Sequence, residues 1–195
     1  MVFVVEFLRA PRRTGALTPS SPWSIRALLD EAEVTRARHV VELGAGTGAI
    51  TKALLERMPP DANLISMEVN PVFFARLERR FAADRVTVVS DSAEDLPQVL
   101  AEQGFDTVDR VVSALPWTTM PHSEQERIVT AIAKVLGDGG RFSTLMCRHR
   151  AASAGARRFE RLLHSHFGTV RRGRTVWAEI PPMFAYHCSL SARPD

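Results

Sequence analysis

Residues 40–51, VVELGAGTGAIT, leave the chain few choices of fold. Val40, Val41 and Leu43 are apolar and strand-compatible, and Gly44, Gly46 and Gly48 follow at alternate positions. Ile50, Leu54, Leu55 and Met58 then recur at helical spacing. The pattern predicts a buried strand, a tight turn and a helix. Glycine suits such a turn because a positive φ costs it nothing and a missing Cβ lets a ligand lie against the backbone. The helix start beyond it offers free N–H groups and the positive end of a dipole to an anionic group.

Strand and helix signals keep alternating along the chain. Ser21-Pro22 is a cap followed by a first-turn proline, and Ile25, Leu28, Leu29 and Ala32 stripe the helix after it. Strands are expected over 63–69, 85–90, 109–114 and 141–147, with helices opening at Asn70-Pro71, Ala93, Pro121 and Ala151. Gly137-Asp138-Gly139-Gly140 reads as the turn into the fifth strand, and strands over 170–180 and 183–190 finish the chain. The expectation is an α/β, Rossmann-like fold: a seven-stranded, mostly parallel sheet with one antiparallel edge strand and helices on both faces. At 195 residues and 45% apolar, the chain suits one domain, taken as 23–195, after an opening segment and loop over 1–22.

Gly44, Gly46 and Ala49 also satisfy a dinucleotide-binding GxGxxG/A spacing, which leaves nicotinamide, flavin or another nucleotide open on spacing alone. The acid two residues before the first glycine argues for a different ligand. The run Glu42-Leu43-Gly44-Ala45-Gly46-Thr47-Gly48 resembles the first motif of class I S-adenosylmethionine (SAM) methyltransferases. That resemblance implies an acid near the sulfonium end of the cofactor and a glycine backbone under its methionine and ribose parts. Glu68 ends the second strand, where a carboxylate can accept from both ribose hydroxyls, with Val69 and Asn70 beside it. Asp91, followed by Ser92 and Ala93, ends the third strand; it can accept from an adenine amino group, or it can simply cap a helix.

The end of the fourth strand, Ser113-Ala114-Leu115-Pro116-Trp117 with Met120-Pro121 following, lacks the Asn and the Tyr of NPPY- and NIPY-type methyltransferases of DNA and ribosomal RNA. It resembles instead the bacterial phospholipid N-methyltransferases, which convert phosphatidylethanolamine stepwise to phosphatidylcholine. Residues 7–22, 40–57, 135–142 and 171–187 carry the same resemblance. It implies SAM as cofactor, S-adenosylhomocysteine as product, and Ser20 and Ser21 of the opening run beside the cofactor. It also implies a substrate site at Ser113 and Leu115. Trp117 is expected as an aromatic wall for the methylated amine. Tyr186, with His122 and His149 as alternatives, is expected to orient the head group or take its proton. Arg148, His149 and Arg150 are candidates for the lipid phosphate, or a solvated turn. A methyltransferase acting on ribosomal RNA or a small amine, and a SAM- or nucleotide-binding module without catalysis, are the competing readings.

Net charge is only +3, but Arg9, Arg12 and Arg13 and again Arg171, Arg172 and Arg174 are clustered. Such clusters suit phosphate or a solvated face. Residues 2–10 could form a short helix with Phe3, Phe7 and Leu8 to one side, as in membrane-interface segments, or a strand or helix packed on the core. No apolar run is long enough to span a bilayer, no signal peptide is recognisable, and Cys147 and Cys188 in apolar runs read as reduced core residues. The expected protein is a cytoplasmic monomer on the inner face of the membrane. Its partners would be a phospholipid substrate and an anionic surface, with no nucleic acid.

Overall fold

The computed structural model describes residues 21–190. The expected segment over 2–10, Ser20 and the first arginine cluster lie outside them. The elements run α1 (Pro22–Leu29), β1 (His39–Leu43), α2 (Ala49–Arg57), β2 (Asn63–Met67), α3 (Pro71–Arg80), β3 (Val86–Val89), α4 (Leu96–Glu102), β4 (Val108–Ser113), α5 (His122–Val135), β5 (Leu136–Cys147), α6 (Ala154–His166), β6 (Thr169–Arg172) and β7 (Met183–Ser189).

All seven strands join one sheet in the order β3-β2-β1-β4-β5-β7-β6. Neighbours from β3 to β5 are parallel, and β7 runs antiparallel to both β5 and β6. The expected mostly parallel sheet with antiparallel pairing at one edge is therefore found; the reversed strand is β7, one position in from the rim. Residues along each strand alternate between the two faces. Val41, Leu43 and Val111 pack with the apolar faces of α4, α5 and α6. Val40, Leu64 and Val112 pack with α1 and α2. Period-two alternation inside nearly continuous apolar strands is what a sheet covered on both faces requires.

Three expected boundaries move. Gly137–Gly140 is not a free turn but part of β5 as a bulge: Val108 faces Leu136 and Arg110 faces Arg141, so two steps along β4 match five along β5. The strand expected over 170–180 stops at Arg172 and leaves only an isolated bridge between Val176 and Met183. Pro181 and Pro182 can offer no ladder N–H, and Glu179 turns away to another partner. Finally, Arg148–Arg150 form a 3-10 turn that delays α6 until Ala154, where Ser153 Oγ caps the helix by accepting from Ala156 N at 3.1 Å.

The strand order reverses between β1 and β4, and in open α/β sheets the crevice beyond the strand C-termini at that point is where ligands bind. The turn at its centre has φ of +78° at Gly44, +56° at Gly46 and +78° at Gly48. A Cβ on Gly48 would sit 2.6 Å from Phe81 Cε2 and 2.9 Å from Leu77 Cδ2. Gly48→Ala should therefore lose roughly 2–4 kcal/mol of stability through backbone strain and overpacking, measured by urea denaturation.

Candidate active site

Beyond the C-terminal ends of β1, β2, β3 and β4 lies an open cleft lined by Gly44, Gly46, Met67, Glu68, Val69, Phe73, Asp91, Ala93, Ala114, Leu115 and Pro116. Two of the expected cofactor acids, Glu68 and Asp91, thus share one cleft with the glycine turn and with Leu115 of the expected substrate site. Leu115 presses on the turn itself: a Cβ on Gly44 would meet its Cδ2 at 3.0 Å.

Glu68 closes the β1–α2 turn against the end of β2. Its Oε2 accepts from Gly46 N at 2.7 Å and its Oε1 from Asn70 N at 2.8 Å. A carboxylate has about four lone-pair sites, so these bonds leave acceptor capacity for further donors such as ribose hydroxyls. Burial raises its pKa, and the two backbone donors oppose the rise. Asn70 caps α3 by accepting from Val72 N at 2.9 Å and Phe73 N at 3.3 Å. Ser92 caps the short turn at Ala93–Asp95, and Asp91 stands exposed at the cleft.

Glu42 lies beneath the turn rather than in the cleft. Its Oε2 accepts from Thr51 Oγ1 at 2.6 Å and from Ser66 Oγ, its register partner on β2. Its Oε1 is buried with no hydrogen-bond partner. Burial first, and then the nearby Glu68 charge, push its carboxyl up from 4.5 to about 7 against the two hydroxyl donors. Ala45, Thr47 and Gly48 shape the turn without lining the cleft: Gly48 N donates to Ala45 O at 2.9 Å, and Thr47 O accepts from Arg80 Nη1 at 2.8 Å.

At the end of β4, Ser113 is buried and its Oγ accepts from Leu115 N at 3.1 Å. Its carbonyl accepts from Thr144 Oγ1 at 3.1 Å, and Thr144 Oγ1 in turn accepts from Trp117 Nε1 at 2.7 Å. Trp117 is therefore corrected from substrate wall to core support. Its ring is 1% exposed, stacked on Phe159 with centroids 4.4 Å apart, and does not reach the cleft. Tyr186 is moved likewise. It sits on β7 among Phe159 and Phe184, where burial and then the Glu160 carboxylate raise its hydroxyl pKa, so it is no ready proton acceptor. His122 and His149 are on the surface.

Ser21 caps α1 as expected from the Ser21-Pro22 pair, accepting from Ser24 N at 3.3 Å, and its own N and Oγ donate to Glu179 Oε1 at 3.1 Å and Oε2 at 2.6 Å, away from the residues that line the cleft. Arg148, His149 and Arg150 are exposed just past β5, on the same edge of the sheet as the cleft. Sequence reasoning passed over Met67, Phe73, Ala114 and Pro116 as lining residues. Position after a strand end could have pointed to Ala114 and Pro116; Met67 and Phe73 look like ordinary core.

The sequence profile described as a methyltransferase domain matches residues 40–140. The chain is also 37% identical over 145 residues to an ornithine lipid N-methyltransferase of Singulisphaera acidiphila, covering 74% of this chain and 76% of that one. The chain belongs to the class I SAM-dependent methyltransferases. Similarity to the ribosomal RNA small subunit methyltransferase A of Corynebacterium efficiens is narrower, 35% over 93 residues and 31% of that protein's length. Among solved structures, the N-methyltransferase NodS of Bradyrhizobium japonicum in complex with S-adenosyl-L-homocysteine has a TM-score of 0.66 at 14% identity, covering 93% of this chain and 96% of that one. A SAM-dependent O-methyltransferase of Thermotoga maritima has 0.67 at 16%, covering 99% and 73%. These two likenesses support the fold alone.

The residues of this methyltransferase fit SAM. A Cβ built on Gly46 would meet nothing within 4 Å, so the cleft comes right up to that backbone. Glu68 and Asp91 line the same cleft with acceptor oxygens of the kind that hydroxyl and amino donors of an adenosyl group require, while Glu42 supports the turn from beneath without lining the cleft. Gly46→Ala should thus cost SAM about tenfold or more in affinity by calorimetry, and, because φ there is +56°, should also lower stability by about 1–2 kcal/mol in urea. Between about 4.5 and about 7 the folded protein binds a proton on Glu42 that the unfolded chain has released. Stability of the cofactor-free protein should therefore fall as pH rises through that window, by about 3 kcal/mol in all. Glu42→Gln should flatten this slope in urea titrations across the same range.

Proposed function

We propose that this methyltransferase methylates the primary amine of a membrane lipid head group, phosphatidylethanolamine stepwise towards phosphatidylcholine, acting as a monomer at the cytoplasmic face of the membrane. The observation that carries the reading is the 37% identity, over about three-quarters of both chains, to an enzyme named for N-methylation of ornithine lipid. That relative also favours a second reading, ornithine lipid itself. Both lipids present a primary amine beside an anionic group, a phosphate in one and a carboxylate in the other.

When bound, SAM supplies an electrophilic methyl group on a positively charged sulfur. The protein's part is to present a neutral amine to it. For an alkylammonium with a pKa near 10.4, deprotonation at pH 7 costs roughly 4.6 kcal/mol. Ala114, Leu115 and Pro116 form an apolar wall that lowers this cost by opposing the charged form. The Trp117–Thr144–Ser113 hydrogen-bond chain and the caps on Leu115 N and Pro116 O hold that wall in place. Orientation of the amine is worth more than a general base here, and the proton leaves to water at the open mouth. Arg148 and Arg150 supply cations for the anionic group of the lipid.

Labelled SAM offered with liposomes of phosphatidylethanolamine, of ornithine lipid, or of neither tests the reading. Label in mono-, di- or trimethylated phosphatidylethanolamine is the expected result. Label only in ornithine lipid establishes the second reading. Transfer to ribosomal RNA or a soluble amine with none to lipid overturns both. Arg148→Ala with Arg150→Ala should raise the KM for lipid about tenfold with little change in kcat.

A further inference from the structure

The most exposed large apolar side chains of the described residues cluster on one connection. Ile180 is 88% exposed and Trp177 71%, both in the loop over 173–182 between β6 and β7. Trp23, 59% exposed, stands on the first turn of α1 beside it. Singly exposed apolar residues need no explanation, but a tryptophan and an isoleucine three residues apart, both turned outward, do.

The loop is braced in this posture. Glu179, between the two, is buried with its carboxylate held by Ser21 N, Ser21 Oγ and Ser24 Oγ at the start of α1. Further bonds run from Val176 N to Met183 O at 2.7 Å and from Arg148 N to Pro182 O at 2.7 Å. Glu179 thus pins to α1 the loop from which Trp177 and Ile180 project. It also removes the loop's only acid from the surface. What remains there is cationic: Arg174 in the loop, and Arg148 and Arg150 on the turn hydrogen-bonded to it, all exposed.

We propose that the loop over 173–182 is a bilayer anchor: Trp177 and Ile180 enter the interface of an anionic membrane, and Arg148, Arg150 and Arg174 meet its phosphates. The charge chooses the occupant. The loop's own exposed side chains are tryptophan, aliphatic and arginine, and the acid that stands against Gly173, Glu31, is paired with Arg171; such a surface complements anionic lipid, and indole is favoured at the headgroup level. The loop also leaves the sheet at the same edge as the cleft, so docking there brings the cleft mouth to the lipid. The proposal rests on the lipid-substrate reading and adds to it a site on the folded domain.

Vesicles of phosphatidylcholine and phosphatidylglycerol carry no primary amine, so binding to them is read apart from turnover. The full chain should cosediment with them, more tightly as phosphatidylglycerol increases, and brominated acyl chains should quench its tryptophan fluorescence. Trp177→Ala with Ile180→Ala should weaken binding about tenfold, and Arg148→Ala or Arg174→Ala about fivefold each. SAM affinity, measured alongside, should be unchanged in the Trp177/Ile180 variant, which shows that it is folded. Vesicle binding by that variant at wild-type strength overturns the anchor, including the outcome in which deleting residues 1–20 abolishes binding instead. Absence of vesicle binding by the wild type, with methyl transfer to detergent-dispersed lipid retained, also overturns it and leaves the substrate reading standing. Anchor-dependent vesicle binding with no methyl transfer to any lipid supports the anchor and sinks the substrate reading.

Discussion

The Glu42 carboxylate is buried in the core under the glycine turn, where desolvation opposes its charge, and is held by hydroxyls from α2 on one side and β2 on the other. Three elements are tied through one group. Thr51 and Ser66 can each donate only if the backbone between them keeps its register, so the carboxylate ties the exit of β1 to the start of α2. Glu68 repeats the device one strand over, stitching Gly46 N to Asn70 N. The glycines make the turn possible, and the two acids make it one turn instead of many. The two acids also repel each other in a poorly solvated place, so the turn is built at some electrostatic cost.

The end of β4 is organised by different means. No acid is present there; the wall beside the turn is Ala114, Leu115 and Pro116, and its rigidity comes from behind. Trp117 stacks on Phe159 and reaches back through Thr144 to the Ser113 carbonyl, while Gln125 Nε2 donates to the Trp117 carbonyl. An aromatic ring that could have faced the substrate is spent on holding the strand end. This leaves an apolar surface next to the polar turn, a contrast suited to a cationic sulfur and an amine that must be neutral.

The architecture was legible because strand, turn and helix signals alternate without interruption. The gathering of Glu68 and Asp91 in one cleft with the glycine turn was legible for the same reason: both follow strands whose ends periodicity locates, and all βα connections fall at one edge of a parallel sheet. Trp117 and Tyr186 were misplaced because a local pattern gives a residue's position along an element but not the face on which its partners stand. Tyr186 follows the same strand alternation as Phe184, which puts both in the aromatic core against α6. The bond from Ser21 to Glu179 spans 158 residues, a contact no local reading supplies. The glycine run in β5 reads as a turn in the sequence because a bulge and a turn use the same residues, and only the pairing of β4 distinguishes them.

The reversed strand explains how distant parts of the chain come to share one rim. β6 runs parallel to the first five strands and so ends at their C-terminal edge; β7, entering between β5 and β6, must start from that same edge. Their connection is thereby placed with the βα loops, although it follows the last helix in the chain. Had the seventh strand been parallel, its connection would have had to cross a face of the sheet, as the others do. The antiparallel pair thus brings a short, braced loop to the side on which the cofactor turn opens. Its partner in that bracing, the start of α1, is the first part of the described chain. Through Glu179 the start of α1 and the β6–β7 connection are held together at that edge, although 158 residues separate them.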